Sequence, residues 1–174
     1  GVLRPIPLSG DHSPSVRPDE VERIEKLGGE VRSNPWEKAM VNAAGGNVKG
    51  CLRVYHSNGV GGLNMTRALG DVYLKPLVIP NPESTLNLIR KEGKNRTDDH
   101  PSFLVLATDG IWDVLPNEKV AELAQNIYSL YAHNEAQGPI DYSNVVQSMS
   151  LNLVQMAQRA GTRDNITCMV LHLP

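Results

Sequence analysis

Cysteine is almost missing from this chain: only Cys51 and Cys168 occur, far apart and in no CxxC pattern. This argues against a disulfide framework and a thiolate zinc site, and makes a reducing compartment, cytoplasmic or nuclear, the expectation. Long apolar runs are missing too. None approaches the ~20 residues needed to span a bilayer, so no membrane partner is expected. The opening stretch, "GVLRPIPLSGDHSP", lacks the apolar core of a signal peptide. Neither sign of charge is in excess: 17 Lys and Arg stand against 19 Asp and Glu, a formal net charge of -2. That balance gives no electrostatic case for nucleic acid. Internal repeats and low-complexity tails are likewise absent. What remains is a chain of 174 residues, 40% hydrophobic, able to build the core of one domain or of part of a larger one.

The clearest helix signal is "RPDEVERIEKLGGEV", where Val21, Ile24 and Leu27 recur at helical spacing and Gly28 and Gly29 supply a stop. "VKGCLRVY" (48–55) and "GLNMT" (62–66) read as short strands, and 87–102 as a strand running into a solvated, charged turn. "FLVLA" (103–107) is the best strand. It is short, continuous and apolar, so coverage on both faces is expected. A helix is predicted over 116–132, with Val120, Leu123, Ala124 and Ile127 inward. Another is predicted over about 143–160, with Val146, Met149, Leu153 and Met156 inward as core filler. A last strand, "ITCMVLHL", closes the chain. Strands in runs, set apart from consecutive helices, point to an antiparallel α+β layer fold rather than to βαβ alternation.

Chemistry concentrates where apolar strands end. Asp109 and Asp113 follow the strand at 103–107, and Asp164 precedes the last strand. If those strands pair antiparallel, Asp109 and Asp164 meet at one sheet edge. If the loop after the first makes one helical turn, Asp113 points the same way as Asp109. Carboxylates so placed repel unless a cation lies between them, and oxygen-only ligands select Mg²⁺ or Mn²⁺. On spacing alone the plainer reading stays open, because Asp-Gly after a strand and Asp-Asn before one are commonly turns.

The segments "LVLATDGIWDVL", "GTRDNITCMVL", "GGLNMTRALGD" and "SGDHSPSVRPDEVERIEKLGGEV" together resemble the metal-dependent protein phosphatase family (PPM, the type 2C serine/threonine phosphatases). The resemblance implies a four-layer α/β/β/α sandwich of two antiparallel sheets flanked by helices, of which 1–174 would be the C-terminal portion. It implies hydrolysis of phosphoserine or phosphothreonine in protein substrates by a metal-activated water, using two or three Mg²⁺ or Mn²⁺ ions. Asp109 and Asp164 would be ligands of the metal pair, and Asp113 would help hold a third ion. Asn165 would cap the turn and orient Asp164. Arg67 is a candidate substrate contact, although Arg67 and Asp71 read more simply as structural. Asp11 and His12 are expected to fix a loop, and Trp112 to be core. Residues 30–60 fall where the family has its substrate-influencing flap.

The family's Asp-Gly-His-Gly motif, its early phosphate-binding Arg and its early acidic ligand find no match here. The expectation is therefore a catalytic unit completed by a complementary N-terminal half, with weak or absent activity in this chain alone. An open core face would favour binding that half, or self-association. The alternative is a catalytically inactive phosphatase-like binding or scaffold module. An aspartyl-phosphate phosphotransferase would need Asp-x-Asp, whereas the spacing here is Asp-x-x-x-Asp.

Overall fold

In the computed structural model, residues 3–34, 52–86, 101–133 and 139–173 are described. They divide between two compact units, one formed by 8–87 and the other by 1–7 with 88–174. The predicted strand beginnings at 48–51 and the charged turn at 87–100 lie outside the described residues, as does most of the flap-like segment. Both units pair helices with an antiparallel sheet, which makes the chain α+β, with two antiparallel sheets. Among the described residues no helix is long and apolar enough to cross a membrane.

In the 8–87 unit, α1 (Pro18–Lys26) precedes a sheet of β1 (Gly29–Ser33), β2 (Leu52–His56) and β3 (Gly61–Leu63), paired in that order. Pro18 opens α1, where its missing N–H costs nothing, and Asp19 and Glu20 stand in the positive first turn. Ile24 is fully buried and packs with Val54, Leu74, Leu77 and Val78. Leu27, expected on the same face, is instead the C-cap residue and is 50% exposed. The helix ends one residue too early to turn Leu27 inward. Glu20, one turn before Ile24, takes the inner position and is 3% exposed. Ile24→Val should therefore cost about 0.5–1.5 kcal/mol, while Leu27→Ala should stay within about 0.5 kcal/mol. Chemical denaturation of both variants checks this, and a larger loss at Leu27 would contradict the assignment.

In the other unit, β4 (Ser102–Ala107) pairs antiparallel with β5 (Cys168–Leu173), from Ser102 opposite Leu173 to Ala107 opposite Cys168. A single helical turn, α2 (Asp109–Trp112), follows β4 directly. Next come α3 (Asn117–Ala132), entered through Pro116, and α4 (Tyr142–Arg159), whose N-cap Asp141 accepts a hydrogen bond from Ser143 N. The α3 stripe of Val120, Ala124 and Ile127 is buried as expected, with Leu123 half-buried. On α4 the buried row is Val145, Met149, Leu153 and Ala157. Val146 and Met156 only flank it, because the packed ridge follows a spacing of four residues rather than three.

Among the described residues, the two-sided coverage expected of β4 is not found. Side chains alternate across a strand. Phe103, Val105 and Ala107 join Cys168 and Val170 against the helices. On the opposite face Leu106 is 50% exposed, Met169 59% and Leu171 39%. A two-stranded ribbon has two faces, and α3 and α4 cover only one.

Candidate metal centre

The end of the β4–β5 ribbon carries the acidic residues. Antiparallel pairing brings the exit of β4 beside the entrance of β5, and backbone bonding continues one step beyond the strands, with Thr108 N donating to Thr167 O at 3.0 Å. Thr108 Oγ1 adds two further bonds. It donates to Asn165 O at 3.2 Å and accepts from Thr167 N at 3.0 Å. Gly110 presses against the same segment so closely that a Cβ there would collide with Asn165 O. Asp109, between Thr108 and Gly110, is thus held beside the turn that carries Asp164.

Each acid has a local reason for its place. Ile111 is fully buried and anchors α2 in the core. The turn closes with Ile111 N donating to Thr108 O at 3.0 Å and Asp113 N to Asp109 O at 2.8 Å. This is the one-turn geometry that relates Asp109 to Asp113. Trp112, expected in the core, is 37% exposed, and its indole N–H donates to Ala107 O at 2.9 Å. Its neighbour Ile111 occupies the core position instead.

On the other side, α4 ends in a Schellman arrangement. Gly161 adopts φ 88°, its N–H donates to Gln158 O, and Thr162 N donates to Ala157 O. This left-handed step explains the glycine of "GTRDN" and turns the chain toward β5. Asp164 N then donates to Thr162 Oγ1 at 3.4 Å, and Asp164 Oδ1 accepts from Asn165 N at 2.7 Å. Contact between Asn165 and Asp164 therefore runs through the Asn165 backbone N–H.

Asp109, Asp113 and Asp164 are all exposed. Among the described residues, no three acidic, histidine or cysteine side chains converge closely enough to hold an ion. The ribbon end thus offers hard oxygen donors from two adjoining loops, a chemistry that fits Mg²⁺ or Mn²⁺ but forms only part of a ligand set.

Arg67 belongs to the other unit, in a network the sequence reading missed. Its Nη2 donates to Glu20 Oε1 at 2.6 Å and Glu83 Oε1 at 2.9 Å, and its Nη1 to Asn81 O at 3.1 Å. Arg23 Nη2 donates to Glu20 Oε2 at 2.8 Å, and Arg23 Nη1 to Leu77 O at 2.9 Å. Arg17 forks onto Glu83 and Asp19. Burial pushes the Glu20 carboxyl up, but the hydrogen bonds from Arg67 and Arg23 outweigh it and hold the group down at about 2. The usable sequence signal was Glu20 itself, an acid four residues before Ile24 on the buried stripe. Nearby, Asp11 Oδ1 accepts from Ser13 N, and the His12 carbonyl accepts from both Thr66 N and Thr66 Oγ1. These bonds fix that loop, one within it and two to the distant Thr66.

A family model described as Protein phosphatase 2C matches residues 4–166. The chain is 36% identical over 168 residues to "Probable protein phosphatase 2C 8" of Oryza sativa subsp. japonica, covering 97% of this chain and 34% of that protein. It is equally similar to "Protein phosphatase 2C 37" of Arabidopsis thaliana, with the same coverage. It therefore spans about a third of the length of these curated relatives. Among solved structures, "Structure of a C.elegans sex determining protein" aligns with a TM-score of 0.62 at 29% identity, covering 96% of this chain and 32% of that one. "Crystal structure of serine-threonine phosphatase 2C from Toxoplasma gondii" aligns with a TM-score of 0.56 at 22% identity, covering 96% and 46%, and speaks for the fold alone. The matched residues contain both loops at the ribbon end and the Arg67 segment, and the chain belongs to the protein phosphatase 2C family.

Proposed function

We propose that this chain supplies part of the active site of a Mg²⁺- or Mn²⁺-dependent phosphatase acting on phosphoserine and phosphothreonine in proteins. The observation that carries the reading is the joining of the Asp109 and Asp164 loops at one sheet end through Thr108 and Gly110. Asp109 and Asp164 would hold the metal pair, with Asp113 toward a further ion. Divalent ions, when bound, supply Lewis acidity that neutralises phosphoryl charge and acidifies water. The chain's own contribution is to hold the carboxylates in position. Arg67 enters this reading as a brace, because its terminal nitrogens already serve Glu20, Glu83 and Asn81.

The remaining ligands would come from a complementary upstream part of the domain. Two observations support this: the chain spans about a third of its relatives, and Leu106, Met169 and Leu171 form an exposed apolar row suited to being covered. The test is hydrolysis of a phosphothreonine peptide by the full-length polypeptide that carries this chain. Activity should vanish on chelation with EDTA and return with Mn²⁺ or Mg²⁺, and residues 1–174 alone should show little or none. Hydrolysis indifferent to EDTA would overturn the reading.

A further inference from the structure

We infer that Thr108 is a positioning residue of the metal centre: its hydroxyl sets the spacing between the Asp109 and Asp164 loops. The inference rests on the proposed metal role of those two acids and adds a residue to it. Thr108 is the residue immediately before Asp109. Three of its hydrogen bonds go to Asn165 and Thr167, on the segment that immediately follows Asp164. The ladder of β4 and β5 ends at Ala107 and Cys168. Beyond it one backbone bond, Thr108 N to Thr167 O, continues the pairing.

The Thr108 hydroxyl adds two side-chain bonds to that single backbone link. The same oxygen donates to a carbonyl and accepts from an amide two residues further on. Gly110 completes the clamp from the other side of Asp109, since its missing side chain lets α2 lie against Asn165 O. Carboxylates drawn to one edge repel when both carry charge and no cation lies between them. Loops free to relax would separate, and ion binding would then have to bring them back. A clamp fixed in advance removes that cost from binding. Thr108 Oγ1 is engaged by Asn165 O and Thr167 N in this arrangement. It acts through Asp109 and Asp164.

The variants Thr108→Val, Thr108→Ser and Gly110→Ala separate this role from a general structural one. Valine keeps the branched shape and removes the hydroxyl, whereas serine keeps the hydroxyl. Mn²⁺ alone is titrated into the full-length polypeptide carrying this chain, free ion is read by electron paramagnetic resonance, and melting temperatures are taken without metal. Thr108→Val should weaken Mn²⁺ binding about tenfold or more, the range seen when groups that orient metal ligands are lost. Thr108→Ser should bind as the wild type does. Gly110→Ala should weaken binding in the same direction, by forcing the loops apart with the hydroxyl intact. Wild-type Mn²⁺ affinity in Thr108→Val, with or without a lower melting temperature, would overturn the inference and leave the metal role of the acids standing. Weakening in Thr108→Ser equal to that in Thr108→Val would also overturn it. Absence of Mn²⁺ binding by the wild type would bring down the proposed function together with this inference.

Discussion

Asp109→Asn is expected to abolish Mn²⁺-dependent hydrolysis of a phosphothreonine peptide while leaving the fold in place. The loss in kcat/KM should exceed about 100-fold, the upper end for groups that merely support a metal ligand. Asparagine has the same shape and still offers one oxygen, but it brings no charge to a divalent ion. Structural damage is expected to be small. Asp109 is exposed, and its recorded structural bond, from Asp113 N, uses the backbone carbonyl. Without metal, stability should therefore change by no more than about 0.5 kcal/mol. The expected sign is a gain, since removing one negative charge from the edge that also carries Asp164 relieves repulsion. With saturating Mn²⁺ the order should reverse. The wild type is stabilised by an ion that binds the folded state, and the variant is not. Kinetics across a Mn²⁺ series, with melting curves in the presence and absence of the ion, check both halves. A variant that keeps its activity, or that melts far below the wild type without metal, would show that Asp109 works as a turn residue.

How much of this could be read in advance depends on whether the signal was local. The ribbon end was legible because its parts are short and adjacent in sequence. An apolar run stops at Thr108, Asp109 begins a turn, and "GTRDN" leads into a second apolar run. Only the pairing of the two strands had to be assumed, and it is antiparallel as the argument required. The clamp was not legible. Thr108 and Gly110 reveal their roles only against the backbone of Asn165 and Thr167, more than fifty positions away. Burial was the weakest reading, for a physical reason. Periodicity says which residues share a face but not whether another element covers that face. Leu27 and Leu106 carry the right pattern and stand half-exposed, while Glu20 carries the wrong chemistry and is buried. Strand β1 was missed because Gly29, Glu30, Arg32 and Ser33 surround a single strong strand former, Val31. Its pairing with β2, Val31 opposite Val54, does what local propensity does not.

The buried acid gives the largest expected effect on stability. Glu20→Gln should destabilise the 8–87 unit by about 3 kcal/mol, at the lower end for breaking a buried ion pair because Glu83 remains with Arg67. For a chain of this size that is a fall in melting temperature of about 6–12 °C. Glutamine matches the shape but leaves Arg23 and Arg67 without the carboxylate they share. The pH dependence distinguishes charge from packing. Glu20 is held at about 2 against an ordinary 4.5, so its stabilisation is fully present above about pH 4.5 and is lost as pH falls through about 2. The gap between wild type and Glu20→Gln should therefore be widest near neutrality and close toward pH 2. The wild type should converge on the variant as its own carboxylate protonates. Some acid sensitivity should survive in the variant, because the Arg17 guanidinium also holds Glu83 and Asp19 down at about 2. Thermal melts from pH 7 to pH 2 read this directly. A gap that stays constant across that range would mean the substitution removed packing rather than charge, and that Glu20 is not the hub on which Arg23 and Arg67 depend.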